Sequence, residues 1–142
     1  MKLQCILTNT ENETMRNVAI MLLRVLAGGF LLTHGLAKLS NFEALSQVFP
    51  DPIGLGSTVS LVLVLVAEVL CAVLVIVGFF TRLAVLPILF AMGVAAFVIH
   101  ANEPFAGKEL ALFYLGVFVV LFFTGSGKYA VDTFIKDCFY ID

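Results

Sequence analysis

The sequence has few charged residues, few cysteines and no excess of basic residues. Charged residues make up 13% of the 142 positions and the net charge is −2, so nothing indicates a nucleic-acid partner. The three cysteines, Cys5, Cys71 and Cys138, are odd in number and form no Cys-x-x-Cys pair. This pattern indicates neither a disulfide framework nor a cysteine zinc site.

The chain is instead rich in apolar residues. Hydrophobic residues make up 61% of the sequence and the mean hydropathy is +1.09, whereas an average soluble domain is roughly 45–50% apolar and about 25% charged. A chain of this length has room for about four spans of ~20 residues with short connections. The predicted fold is therefore all-α: an integral membrane four-helix bundle with antiparallel, up-down topology and short cytoplasmic tails.

Four apolar stretches predict the four spans, at residues 15–39, 57–80, 83–101 and 108–124. We expect one transmembrane domain over residues 15–132, between an N-terminal tail (1–14) and a C-terminal tail (133–142). Residues 42–49 predict either a short interfacial helix or a plain loop. In the first span, five residues separated by spacings of four and three residues lie on a single helix face: Arg24, Gly28, Leu31, Gly35 and Lys38. The two glycines among them allow close packing against another helix.

Arg24 and Glu68 are ionisable residues inside the first and second spans. A charge at the centre of a bilayer costs about 3 kcal/mol on insertion scales, so Glu68 needs a partner, a proton or a function. Counted from the ends of their apolar stretches, the two residues fall at the same depth in antiparallel helices, which predicts a buried ion pair. The pair is either a structural clamp or a proton station in which Arg24 tunes the proton affinity of Glu68.

The basic residues predict the orientation in the membrane. With four spans, both termini lie on one side. Five basic residues fall on that side and two on the other; the first group is Lys2, Arg16, Arg82, Lys128 and Lys136, and the second is Lys38 and Lys108. Because basic residues are enriched in cytoplasmic loops, we expect both termini in the cytoplasm and the spans in a bacterial cytoplasmic (inner) membrane.

Several ionisable residues fall near the opposite, non-cytoplasmic ends of the spans: His34, Lys38, His100, Glu103 and Glu109. Three interpretations stay open. Neutral imidazole can hydrogen-bond a quinone carbonyl and pass its proton. Two histidines with a glutamate could ligate a metal, and two histidines alone could ligate haem, although no dense motif such as His-x-x-x-His is present. The residues could also simply face water at helix ends.

Short motifs along the chain carry a family resemblance. They are His34-Gly35-Leu36-Ala37-Lys38-Leu39, Phe49-Pro50, Ala67-Glu68, Gly78-Phe79-Phe80-Thr81-Arg82, His100, Lys108-Glu109, and Gly125-Ser126-Gly127-Lys128-Tyr129 followed by Asp132. In this order and spacing, from about residue 16 to 132, the chain resembles the DoxX family of small four-helix membrane proteins. It departs from the family at Ser126, where proline is frequent, and at Lys128, where arginine is common.

The resemblance implies a quinone-linked redox role. The family takes its name from a subunit of a terminal quinol oxidase complex, and related proteins resemble a subunit of thiosulfate:quinone oxidoreductase. We therefore expect a quinone-binding redox subunit. Its proton-handling or catalytic residues would be Glu68, Arg24, His34 and His100, and its ring-binding residues His34, Lys38, His100 and Glu109.

Two other functions are kept beside the redox subunit. The chain could be a non-catalytic membrane subunit that anchors or assembles a partner oxidoreductase, with Arg24 and Glu68 purely architectural. A small transporter is the third hypothesis, although no inverted repeat is evident. The expected partners are membrane lipid, a partner oxidoreductase subunit and further copies of the chain.

Overall fold

The structure, a computed structural model, describes residues 12–139, which form helices and connections without a β-strand. The helices are α1 (Glu13–Ser40), α2 (Phe42–Ser46), α3 (Ser57–Val77), α4 (Thr81–Ile99), α5 (Phe105–Thr124) and α6 (Val131–Phe139). Four of them, α1, α3, α4 and α5, are long and apolar enough to cross a membrane. The predicted all-α fold with four spans is confirmed, and the span boundaries differ from the predicted ones by at most about three residues.

The four long helices form a closed bundle. Both α1 and α4 pack against α3 and α5, and a three-residue turn joins α3 to α4. The centre consists of fully buried apolar residues: Leu31, Leu61, Ala72, Val75, Val85, Ile88, Phe118 and Leu121. Large apolar side chains such as Phe30, Phe90 and Phe123 lie exposed on the outside, as expected of helices that contact lipid.

We name the two ends of the bundle by what lies there. The termini side carries the start of α1, the α3–α4 turn and the end of α5. The loop side carries the end of α1, the connection at residues 47–56 and the connection between α4 and α5. For residues 42–49 the sequence left a short helix and a plain loop open, and the structure has helix α2 at Phe42–Ser46 on the loop side.

Two glycines fix how α1 packs on α3. A Cβ atom at Gly28 would lie 2.7 Å from Ile76 Cγ1 and 3.2 Å from the Ala72 carbonyl oxygen. A Cβ atom at Gly35 would lie 2.7 Å from Val69 Cγ2 and 2.9 Å from the Cβ atom of Glu68. The predicted glycine face of α1 is therefore the face that packs on α3, and its contacts set the register between the two helices.

On the termini side, the chain after α5 folds back on the α3–α4 turn. Gly78 and Phe80 both have positive φ, 77° and 47°, and Phe80 is the one non-glycine residue with positive φ in residues 12–139. Asp132 Oδ1 accepts the Phe80 N–H at 3.0 Å, and the Asp132 N–H donates to the Gly78 carbonyl oxygen at 3.1 Å. Two of the sequence motifs, 78–82 and 125–132, thus meet at one place. Asp132 belongs to the first turn of helix α6 (Val131–Phe139), which occupies most of the predicted C-terminal tail.

On the loop side, Asp51 organises the connection before α3. Its Oδ1 atom accepts the Leu55 N–H at 3.0 Å and the Ser60 hydroxyl at 2.8 Å, and its Oδ2 atom accepts the Gly56 N–H at 2.6 Å. The Ser60 hydroxyl and the Gly56 N–H lower the pKa of Asp51, since hydrogen bonds to a carboxylate favour its charged form.

Candidate functional site

Glu68, in the middle of α3, forms an ion pair with Lys38 of α1. The Glu68 side chain is 5% exposed and that of Lys38 is 28% exposed. Because Gly35 has no side chain, α1 lies directly against the backbone of α3 at Glu68, and Lys38 follows one turn later. The bundle thus holds a carboxylate that is paired, nearly buried and close to a more open cation.

The predicted Arg24–Glu68 pair is wrong. The Arg24 guanidinium lies on the termini side, where Nη1 donates to the Ser126 carbonyl oxygen at 2.6 Å and Nη2 to that of Tyr129 at 2.7 Å. The error lies in the helix register: Glu68 lies opposite Gly35, which is about 16 Å along α1 from Arg24 at 1.5 Å per residue. Counting from the ends of the apolar stretches ignored this offset. Arg24 therefore docks the chain that follows α5 and makes no contact with Glu68.

A cavity of about 520 Å³ adjoins the Lys38–Glu68 pair. Its volume falls in the range of roughly 300–1,000 Å³ that small-molecule sites occupy. It extends from Pro87, in the second turn of α4, to His100, a length of about 20 Å along the helix. Lys38, Glu68, Ser60 and His100 supply its polar groups. The rest of its wall is mostly apolar: Phe49, Pro50, Pro52, Ile53, Leu63, Val64, Val66, Pro87, Phe90, Ala91, Met92, Val94, Ala95 and Ile99.

Both π-helical segments of the described chain border this cavity. One runs over Val66–Cys71 and contains Glu68; the other runs over Ala95–Ile99 and leads into His100. A π-helical turn disturbs regular α-helix geometry and occurs frequently at functional sites. Both distortions here lie next to an ionisable side chain that lines the cavity.

His100 lies at the loop-side end of the cavity, with its side chain 35% exposed. Its Nδ1 atom is 2.9 Å from Glu103 Oε1 but lacks hydrogen-bond geometry, and this buried atom has no hydrogen-bond partner among residues 12–139. His100 therefore places an imidazole, with the Glu103 carboxylate beside its Nδ1 atom, at the loop-side end of the cavity.

The other two predicted ring ligands lie elsewhere. His34 is exposed on α1, and its ring packs edge-on against Tyr114 with the centroids 6.0 Å apart. Glu109 is exposed on α5. Neither is among the described residues that line the cavity. The structure thus brings Lys38, Glu68 and His100 together and leaves the quinone-binding roles of His34 and Glu109 as predictions.

The metal hypothesis has no ligand set in the described chain. Within residues 12–139, no three His, Cys, Asp or Glu side chains cluster so as to hold a metal ion. The set that the sequence suggested, His34, His100 and Glu109, is not such a cluster.

The fold and the cavity define a class: a small, multi-pass helical membrane protein with one intramembrane ion pair beside an apolar cavity. Within that class, the chain belongs to the DoxX family, whose family model matches residues 19–101. This range contains Lys38, Glu68 and His100, and it covers every described residue of the cavity wall. The family resemblance seen in the sequence motifs is thereby confirmed.

Two curated relatives match most of the chain. A Bacillus subtilis (strain 168) protein named "Putative oxidoreductase CatD" is 33% identical over 121 residues, which cover 83% of this chain and 87% of the relative. A Haemophilus influenzae protein named "Uncharacterized protein" is 28% identical over 127 residues, which cover 84% of each chain. No solved structure gives a significant match.

Proposed function

We propose that the protein is a quinone-binding subunit of a membrane oxidoreductase. The observation that carries the proposal is the elongated apolar cavity with Lys38, Glu68 and His100 in its wall. An aromatic or quinonoid ring with an apolar chain needs mostly apolar walls and a few placed polar groups, which is the usual make-up of a small-molecule site. The name of the Bacillus subtilis relative, "Putative oxidoreductase CatD", agrees with redox chemistry.

The polar groups of the cavity suit the two oxygens of a quinone. When bound, a quinone supplies reversible redox chemistry in which its oxygens gain or lose protons with the electrons. Lys38 is the more open member of the ion pair, so its ammonium can donate a hydrogen bond to a ring oxygen and keep Glu68 as its counter-ion. Glu68 can hold the proton that such a transfer moves.

His100 links the cavity to the loop side. It lines the cavity and is partly exposed, with Glu103 beside it. An imidazole can accept a proton on one ring nitrogen and donate from the other, so His100 can pass protons between the cavity and water. We place electron delivery in a partner oxidoreductase subunit, as the family resemblance implies.

The two histidines provide a matched test of the proposed site. The protein is purified in mild detergent, its lipids are extracted, and quinone is measured by mass spectrometry for the wild type, His100→Asn and His34→Asn. Only His100 lines the cavity, so we expect quinone in near-stoichiometric amount in the wild type and His34→Asn, and a several-fold loss in folded His100→Asn.

A second variant tests the cavity without touching its charges. Ala95 lies in the cavity wall, and Ala95→Phe would fill part of the space. The proposal expects loss of quinone from this variant too. Equal quinone in wild type, His100→Asn and Ala95→Phe would overturn the proposed site, and absence from all of them after addition of excess quinone would favour a non-catalytic anchoring subunit.

We also propose that the spans lie in a bacterial cytoplasmic membrane with both termini in the cytoplasm, on the basis of the basic residues that flank the spans. Cys138 is exposed in α6 and reports the termini side. In intact cells, a membrane-impermeant maleimide should leave Cys138 unlabelled until the membrane is permeabilised. A cysteine placed at Asn102 on the loop side, in a chain with Cys5 and Cys138 replaced by serine, should be labelled at once. The reverse pattern would invert the orientation.

A further inference from the structure

A second cavity, of about 590 Å³, lies on the termini side. Its wall is formed by the start of α4, the segment after α5 and the start of α6; the residues that matter here are Thr81, Arg82, Gly125, Gly127, Asp132 and Lys136. It is separate from the quinone cavity, with which it shares none of its described lining residues. Nothing in the proposed redox function uses it.

The start of α4 presents free backbone donors to this cavity. The first backbone hydrogen bond of the helix is from the Ala84 N–H to the Phe80 carbonyl oxygen, and Phe80 offers no side-chain cap. The N–H groups of the first three helical residues therefore have no intrahelical acceptor. Asp132 accepts only the preceding N–H, that of Phe80. Free N–H groups and the positive end of the helix dipole favour an anion.

Thr81 adds an independent observation at the same place. Its side chain is 1% exposed, and its hydroxyl oxygen has no hydrogen-bond partner among residues 12–139. Thr81 also lines the cavity. A buried hydroxyl without a partner is unfavourable, and a rotation of the Thr81 side chain toward the cavity would let this hydroxyl donate to an oxygen of a bound ligand.

Two cationic side chains complete the site. Arg82 uses one donor, Nη2, on the Phe123 carbonyl oxygen at 3.3 Å, which leaves most of its five donors free. Lys136 lines the cavity from α6. The one carboxylate in the described wall, Asp132, already accepts a backbone N–H. The charges therefore sum to a net positive site.

We propose that this cavity binds a phosphate group, carried either by the headgroup of an anionic phospholipid or by a soluble phosphate ester. Guanidinium groups, ammonium groups and helix N-termini are the groups that bind phosphate in proteins. Phe80 and Leu83, at the edge of the site, are exposed apolar residues beside which an acyl chain can lie. Both sources offer the same phosphate oxygens to Thr81, Arg82 and Lys136.

The test compares three cavity variants with a control on the same side. Thr81→Val, Arg82→Gln and Lys136→Gln each remove one contact. Lys128→Gln removes a basic residue that is exposed and absent from the described cavity wall. Each protein is reconstituted in nanodiscs of phosphatidylcholine with phosphatidylglycerol, released in the mass spectrometer, and scored for retained phosphatidylglycerol. A parallel arm measures the shift in melting temperature of the detergent-purified protein with glycerol phosphate.

A lipid phosphate predicts retained phosphatidylglycerol in the wild type and Lys128→Gln. It predicts a loss of about tenfold in Arg82→Gln and Lys136→Gln, the size expected for one charge-assisted hydrogen bond, and a smaller loss in Thr81→Val, which removes a neutral hydroxyl. A soluble source predicts instead a melting shift with glycerol phosphate that the same two variants lose. Arg82→Gln could disturb folding through its bond to Phe123, so Lys136→Gln and Thr81→Val decide the matter. If neither ligand distinguishes those two variants from Lys128→Gln, the proposal is overturned.

Discussion

Arg24 on the termini side and Lys38 with Glu68 on the loop side are charged groups held inside the same bundle, and their surroundings differ. Arg24 is 3% exposed and spends two donors on backbone carbonyl oxygens of the chain after α5. Lys38 and Glu68 face one another beside a cavity. The first arrangement fastens a segment of backbone, whereas the second leaves a charge pair within reach of a ligand.

This difference is the basis on which we propose a functional role for Lys38 and Glu68 and assign Arg24 a structural one. Nη1 and Nη2 of the buried Arg24 each donate to a backbone carbonyl oxygen, and its Nε atom is buried without a partner among residues 12–139. An ion pair with one partly exposed member can exchange a contact with a ligand and keep its counter-ion. Burial alone, which Arg24 and Glu68 share, does not distinguish the two cases. The neighbours do.

The largest effect is expected from Arg24→Met. It removes two charge-assisted hydrogen bonds, to Ser126 and Tyr129, and leaves two carbonyl groups without these donors. At about 1.5–3 kcal/mol for each bond, stability should fall by about 3 kcal/mol or more. Thermal unfolding in detergent, followed by circular dichroism, measures the loss. Arg16→Met is the control, because Arg16 is exposed and lies 3.9 Å from Glu13, and it should change stability by less than about 1 kcal/mol.

The next effect is the coupling between Lys38 and Glu68. Lys38→Met leaves the Glu68 carboxylate buried without its cation, which should cost about 3 kcal/mol. Adding Glu68→Gln removes the unpaired buried charge and should restore about 1–3 kcal/mol of the stability lost in Lys38→Met. Thermal unfolding of the wild type, both single variants and the double variant measures the coupling free energy between the Lys38 and Glu68 side chains.

A second double-variant cycle sharpens this comparison. Arg24→Met combined with Glu68→Gln should be additive within about 0.5 kcal/mol, since distant sites without shared partners behave independently. Strong coupling in the Arg24–Glu68 cycle, together with none in the Lys38–Glu68 cycle, would restore the pairing that the sequence suggested and refute the pairing in the structure.

The pairing error shows what the sequence alone could determine. Apolar length and composition were enough for four spans, because the bilayer fixes both. Spacing along α1 was enough to place Arg24, Gly28, Gly35 and Lys38 on one face. The register of α1 against α3 could not be predicted. It depends on which α3 residues contact each glycine of α1, and the ends of the apolar stretches carry no information about those contacts.

The candidate site was predicted only in part, because the sequence shows the type of each residue but not which residues meet in the fold. Lys38, Glu68 and His100 were each singled out by type and location, and the structure brings them to one cavity. The wall residues Pro87 and Ala95 carry no chemical signal in the sequence. The Phe49-Pro50 motif entered only through the family resemblance, and the structure shows both residues in the cavity wall.

Gly35 and Gly29 offer a smaller test of the register that separates the two charged regions. A Cβ atom at Gly35 would lie 2.9 Å from the backbone carbonyl carbon of Glu68, whereas one at Gly29 meets nothing within 4 Å. Gly35→Ala should therefore destabilise by about 1–3 kcal/mol through overpacking, and Gly29→Ala should stabilise by up to about 1 kcal/mol through helix propensity. Equal effects of the two substitutions in thermal unfolding would contradict the α1–α3 register.

The smallest expected effect concerns Asp51, whose carboxylate accepts hydrogen bonds that order the loop beside the cavity. Hydrogen bonds from Ser60 and Gly56 lower its pKa from the ordinary value of 3.8. As the pH falls through about 3.8, Asp51 takes up a proton in the unfolded chain before it does so in the folded protein. The stabilisation by Asp51 is therefore complete above that pH and is lost as the pH falls through the lower pKa of the folded state. Melting temperature against pH should fall less steeply at the acid end for Asp51→Asn than for the wild type. Glu43→Gln, a change at an exposed carboxylate of α2, should leave the wild-type slope intact, and an equal slope in all three proteins would remove Asp51 from the acid dependence.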